Sequence, residues 1–306
     1  MLFRCGRCEY THSHSHRPVA TASKCGRLVL DSEKPLDRGL ENRQTILFFC
    51  FAYAIAWLFF LPLGLSLAGV GWIPLHLSLP VMSVLGTTAP TLSALLTLRI
   101  TEHRWPYKRH IANSSRWLFT LLLCPLLVGF TYTVLPAIWL AKAPLSSLHW
   151  SALLSLSFYN VSTFLGGPLG EEPGWRGFAL PRLQNLLGPW KASLLLGILW
   201  AGWHLPLFLC KSWSSSSAVD YVLIVISLSF LMTFLFNLSG GSVIAAILAH
   251  ASFNTISRWL GGLLGSIPIR VRPSPELAIG LVGLGIAALL VLLTRGRLAE
   301  RSYQGC

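Results

Sequence analysis

The sequence predicts an all-α protein, a polytopic membrane helix bundle of about eight transmembrane helices with both chain ends on the inner side. Three observations carry this expectation. Of 306 residues, 53% are apolar and only 11% charged, where a soluble domain carries about a quarter charged residues. From residue 45 onward the apolar residues gather into runs, each near the roughly 20 residues a helix needs to cross the hydrocarbon core. The Lys and Arg residues collect in alternate connecting segments, the pattern that orients a chain in a bilayer. The same composition excludes a disordered polymer, which 16 Phe and 12 Trp contradict. A formal charge of +13 in a soluble protein would point to nucleic acid. Here the cations flank apolar runs and no nucleic-acid-reading motif accompanies them, so no nucleic-acid partner is expected.

Residues 1–44 read as a polar tail with eight Lys/Arg, five Asp/Glu and no apolar period. The tail holds Cys5 and Cys8 in a CGRC run, followed by His12, His14 and His16. Cys-x-x-Cys with nearby His is a zinc-site pattern, but the alternating His residues have no framework around them, and the tract reads as low-complexity chain. The first apolar run is too long for a signal peptide and no small-residue cleavage signature follows it. The seven cysteines are odd in number and scattered, several within apolar runs, which is no disulfide framework.

Spans are expected near 45–70, 75–98, 117–141, 151–170, 191–210, 219–238, 242–264 and 276–294. Pro62, Pro80, Pro90, Pro125 and Pro136 fall inside them, which membrane helices tolerate when neighbours satisfy the freed carbonyls. No soluble domain interrupts the series. With the N-terminus inside, the inner segments carry 19 Lys/Arg and the outer ones four, a strong positive-inside bias. Residues 45–150 then hold the first transmembrane helices, 151–294 the later ones, and 295–306 a basic cytoplasmic tail.

An ionisable group at mid-bilayer costs about 2.5–3.5 kcal/mol or more, so it faces a protein interior and has a partner. Between residues 45 and 294 the acids are Glu102, Glu171, Glu172, Asp220 and Glu276. Glu102 lies in a basic loop with Arg99, Arg104, Lys108 and Arg109, where solvation suffices. Asp220 and Glu276 fall at helix starts, where a carboxylate favours the positive end of the dipole. Glu171 and Glu172 differ. They follow an apolar stretch and open EEPGWRGFALPRLQ. Adjacent carboxylates repel, so at least one should be held by a cation or a metal, or stay protonated. If residues 172–176 are helical, Arg176 shares a face with Glu172. Pro173 would then occupy the first turn and put Glu172 at the N-cap. A structural ion pair and a catalytic role both fit that spacing.

Of nine histidines, two fall inside spans. His204 follows Trp200 by one turn, and His250 precedes Asn254 by one turn, so His250 and Asn254 project into one cleft. Two such histidines on separate helices and a diacid on a third have the parts to hydrolyse a bond inside a membrane. A glutamate can take a proton from water. The two histidines and a carboxylate could bind zinc and leave a position open for water. Alternatively, His and Asn could donate hydrogen bonds to the oxyanion with no metal.

At these residues the sequence resembles the CPBP family of intramembrane proteases, which includes the type II CAAX prenyl endopeptidases and the bacteriocin self-immunity membrane proteins. The family pattern is EExxxR, then FxxxH, then HxxxN or HxxxD. Here the motifs read Glu171-Glu172-Pro-Gly-Trp-Arg176, Trp200-Ala-Gly-Trp-His204 and His250-Ala-Ser-Phe-Asn254. The second has Trp where the family often has Phe, a change of aromatic that is not expected to alter the chemistry. The resemblance covers roughly residues 150–260, making 151–294 a CPBP-like catalytic core. It implies an intramembrane endopeptidase, a metalloprotease in the family's naming, that cleaves a peptide bond near the membrane surface. Glu171 would activate water, while His204, His250 and Asn254 would bind metal or stabilise the oxyanion, with zinc on Glu171, His204 and His250 as the metal form. Glu172, Arg176 and Trp200 would support them. Implied partners are the lipid bilayer and a peptide or lipidated-protein substrate. The dense EEPGWRGFALPRLQ block is closer to bacterial members, which places the chain in a bacterial cytoplasmic (inner) membrane.

Two other classes compete. A proton-coupled transporter also places Glu, His and Arg at membrane depth, but carriers repeat broken helices in both halves, and here the ionisable groups cluster in the second. A non-catalytic immunity or scaffold protein would keep the motif and work by binding. The intact set Glu171, His204, His250 and Asn254 argues against that.

Overall fold

A computed structural model describes residues 38–101, 123–136, 164, 167–210, 212–214, 217–265 and 274–300. The CGRC and His run, the basic loop around Glu102, most of the expected span 151–170 and the side chain of Arg258 lie outside the described residues. Among the described residues every regular element is a helix. The protein is a polytopic membrane helix bundle. Among the described residues, five stretches are long and apolar enough to cross a bilayer: Arg38–Leu65, Leu79–Ile100, Pro189–Leu209, Ala218–Leu238 and Pro275–Leu293.

Helix α1 (Arg38–Leu65) begins before the expected start of the first span and runs through Pro62. The second span is not one rod. It breaks at Thr88 into α2 (Leu79–Thr87) and α3 (Ala89–Ile100), because Pro90 at the head of α3 cannot continue the hydrogen-bond ladder of α2. The apolar helix α4 (Leu123–Tyr132) runs into a π-helical turn, Phe130–Val134. Two short helices follow, α5 (Pro168–Gly174) and α6 (Leu180–Leu187), joined by a second π-helical turn, Trp175–Ala179. Helix α7 (Pro189–Trp203) ends at His204 and passes into a 3-10 turn, Leu205–Leu209. Then come α8 (Ala218–Leu238), α9 (Val243–Gly265) and α10 (Pro275–Leu293).

The caps explain where the last helices begin. Ser217 accepts from the Asp220 N–H and Ser274 from the Leu277 N–H, both at 3.1 Å. Each satisfies a donor that the first turn cannot pair internally. Asp220 and Glu276 sit in those first turns, as expected. Between α8 and α9, Gly240 and Gly241 take φ of 79° and 88°, a left-handed turn that glycine enters without steric cost. The turn sets α8 and α9 side by side.

Helix α8 is the centre of the bundle. Of its apolar stretch 61% is buried, against 28% for α1 and for α10. It packs on α7, α9 and α10, while α1 packs on α2, α3 and the 3-10 turn. The outward faces of α1 and α10 present Leu58, Leu292 and Leu293, side chains that suit lipid rather than water. Polar side chains stitch the helices from within. Tyr53 donates to Leu199 O at 2.6 Å, Trp57 to Trp203 O at 3.0 Å, and Trp203 returns a bond to Ala52 O at 2.9 Å. At the start of α1, Gln44 Oε1 accepts from Arg182 Nε and Nη2 at 3.0 and 2.9 Å. These bonds hold α1 against α6 and α7 and fix the end of α7 that carries Trp200 and His204.

Candidate active site

The acidic pair rides on α5. The structure corrects the expectation that Glu172 caps this helix: Gly167 is the N-cap and Pro168 takes the first helical position, where a missing N–H goes unnoticed. Both glutamates therefore lie inside the helix, and Pro173 falls near its end. Pro173 has no N–H to give, and two residues later the backbone widens, with Leu180 N–H reaching Trp175 O five residues back. A π-helical turn of this kind recurs at functional sites because it re-aims side chains.

Close packing sets the position of α5. A Cβ on Gly174 would overlap the Pro90 carbonyl, and one on Gly170 would meet Thr87 O at 2.7 Å. Thr91 donates to Gly170 O at 2.6 Å. The helix is thus pressed into the break between α2 and α3. On the other side, Trp175 packs against Phe48, Phe49 and Trp203.

Within this frame the two glutamates part company. Glu172 is fully buried, and so is Arg176. Arg176 Nη1 donates to Glu172 Oε1 at 3.0 Å and lies 3.0 Å from Oε2, so the pair expected from the spacing is present. His250 Nδ1, on α9, lies 2.7 Å from the same Oε1. A carboxylate oxygen only accepts, so His250 holds its proton on Nδ1 and donates it there. Glu171 is equally buried at 2% exposure, but among the described residues no cation bonds to it. Its Oε2 accepts from Trp200 Nε1 at 2.7 Å. Among the described residues none donates to its Oε1.

Trp200 also contacts Arg176, His204 and His250. Its carbonyl pairs with His204 Nδ1 at 2.9 Å. Its ring stands edge-on to His250 at 5.1 Å, and the Arg176 guanidinium lies over it at 4.3 Å. Because a carbonyl can only accept, His204 also carries its proton on Nδ1, which leaves Nε2 as the acceptor. The His204 ring is walled by Trp203 at 4.7 Å, Tyr221 at 5.4 Å and Trp213, stacked at 5.7 Å. Asn254 follows His250 by one turn, half-buried and with an interacting partner.

The structure thus brings together Glu171, Glu172, Arg176, Trp200, His204 and His250, which the sequence singles out, with Asn254 a turn away. It also adds Trp213 and Tyr221, which no motif marks; the cluster of aromatics around residues 203–221 was their sole trace. The Trp at position 200 makes a contact that its motif does not announce: its indole N–H bonds a glutamate, which a phenyl ring could not do.

As for zinc, the ring nitrogens left over on the two histidines and Glu171 Oε1 are donors of a suitable kind. Yet among the described residues no three His, Cys, Asp or Glu side chains are placed to hold a metal ion together. Residues 1–37, with their CGRC and His run, lie outside the described residues.

Fold and site together define a membrane-embedded helix bundle enclosing a carboxylate–histidine–arginine centre. Residues 152–256, which contain all three motifs, match the family model described as Type II CAAX prenyl endopeptidase Rce1-like. The chain is also 34% identical over 92 residues to CAAX prenyl protease 2 of Methanococcus maripaludis, a match spanning 28% of this chain and 34% of that protein. The match therefore spans about a third of that relative's length. Residues 152–256, the segment that carries the three motifs, are thus similar to the type II CAAX prenyl endopeptidases. That relative is archaeal, so it gives no support to the expected bacterial origin.

Proposed function

We propose that the chain is an intramembrane endopeptidase that hydrolyses a peptide bond with water activated by Glu171, its substrate a peptide or lipidated protein presented from the bilayer. The division of labour between the glutamates carries this reading. Glu172 is committed to Arg176 and His250, whereas among the described residues nothing donates to the second oxygen of Glu171. In the proposed cycle the water lies between Glu171 Oε1 and His204 Nε2, both acceptors. Its oxygen attacks the scissile carbonyl carbon as its proton passes to Oε1. The resulting oxyanion is met by Asn254 and by His250, whose ring Glu172 orients through Nδ1. Collapse breaks the C–N bond, and Glu171 returns its proton to the leaving amine.

The test is proteolysis by purified protein in liposomes against a panel of lipidated and transmembrane peptides. Glu171→Gln and His250→Ala should each abolish cleavage while the proteins stay folded. Cleavage that survives Glu171→Gln would end the assignment. A folded wild type that cleaves nothing but captures peptide would favour the binding-only reading.

A further inference from the structure

We infer that Trp200 is a positioning residue that fixes which oxygen of Glu171 takes the proton from water. The inference rests on the peptidase reading of the site, but its first observation does not. The indole Nε1–H donates to Glu171 Oε2 at 2.7 Å, and both partners are buried at 2% exposure. A carboxylate held at one oxygen by a directional donor cannot spin, so its other oxygen points one way. In this site that oxygen, Oε1, has no described protein donor and is the one that faces the reaction.

The remaining contacts of Trp200 show why it can hold that oxygen still. The Arg176 guanidinium lies 4.3 Å over its ring, and His250 stands against its edge at 5.1 Å. Its backbone carbonyl, bonded to His204 Nδ1 at 2.9 Å, also sets that ring's tautomer. One residue therefore positions the base through its side chain and the water-facing histidine through its main chain. The indole gives up no proton in the reaction. Water's proton passes to Oε1 and then to the departing amine, and the N–H···Oε2 bond persists throughout.

Trp200→Phe removes the N–H and keeps a ring between Arg176 and His250. Replacing Trp200 with 3-benzothienylalanine removes the N–H with no change of shape, so it remains informative if the Phe variant does not fold. Losing one hydrogen bond to a charged group should lower kcat on the order of 10- to 100-fold with KM within about twofold. A second readout needs no substrate. The infrared carboxylate band of Glu171, isolated as the difference between wild type and Glu171→Gln, should move when the N–H is removed. A band that stays put, or a kcat within about twofold of wild type, would overturn the inference and leave Trp200 as packing. If the wild type cleaves nothing, the infrared arm still decides, so failure of the peptidase reading is distinguishable from failure of this one.

Discussion

The buried triad Glu172–Arg176–His250 offers the sharpest test of the energetics. Glu172 and Arg176 have no solvent exposure and sit 3.0 Å apart, with His250 2.7 Å from the same carboxylate. Removing one member of such a pair leaves a buried charge without a counter-charge, which costs about 3–5 kcal/mol. Glu172→Leu and Arg176→Met should each destabilise by that amount. If the two losses were independent, the double variant would lose about 6–10 kcal/mol, comparable to the whole stability of an ordinary domain. The double variant, however, removes both charges together. What remains is the His250 Nδ1–H without its acceptor, about 1–3 kcal/mol. The double variant should therefore be more stable than either single one. Unfolding in detergent by urea or SDS, followed by tryptophan fluorescence, completes the double-mutant cycle. Additive losses, or single losses below about 1 kcal/mol, would refute the claim that this triad holds the site together. Activity should vanish in the two variants that lack Glu172, because His250 there loses the partner that orients it.

Cleavage should fall on the acid side of the pH–rate profile, since Glu171 must be ionised to accept a proton; a flat profile with folded enzyme would remove the general base. Gly174→Ala should destabilise by about 1–3 kcal/mol or displace α5, because its Cβ would overlap the Pro90 carbonyl; thermal unfolding checks this, and a Tm within error of wild type would mean that α5 is not locked there. Chelation should leave cleavage unchanged, because among the described residues no three His, Cys, Asp or Glu side chains are placed to hold a metal ion together. A loss restored by added zinc would reinstate the metal form. His204→Ala should lower kcat by on the order of 100-fold or more with little effect on folding. Equal turnover would show that its walled ring does not face the water.

Much of this was legible in the chain before any tertiary structure. Membrane residence follows from run length, since roughly 20 apolar residues have no comparable use in water. The Glu172–Arg176 pair and the shared face of His250 and Asn254 follow from a spacing of four in a helix. Other features depended on contacts that local pattern cannot encode. Which glutamate is bound and which keeps an open oxygen was decided by partners 78 and 29 residues away, His250 and Trp200. The start of α5 at Pro168 and the π-helical turn after Gly174 came from two prolines whose effect depends on where the ladder begins. The part played by α1, through Gln44, Tyr53 and Trp57, was invisible for a further reason. In lipid both the buried and the outward face of a helix are apolar, so hydrophobic periodicity does not say which side faces the protein. The sequence by itself determined the solvent and the chemical groups. Only the packing of α5, α7 and α9 decided how those groups divide the work, because buried polar groups must find specific partners wherever the fold places them.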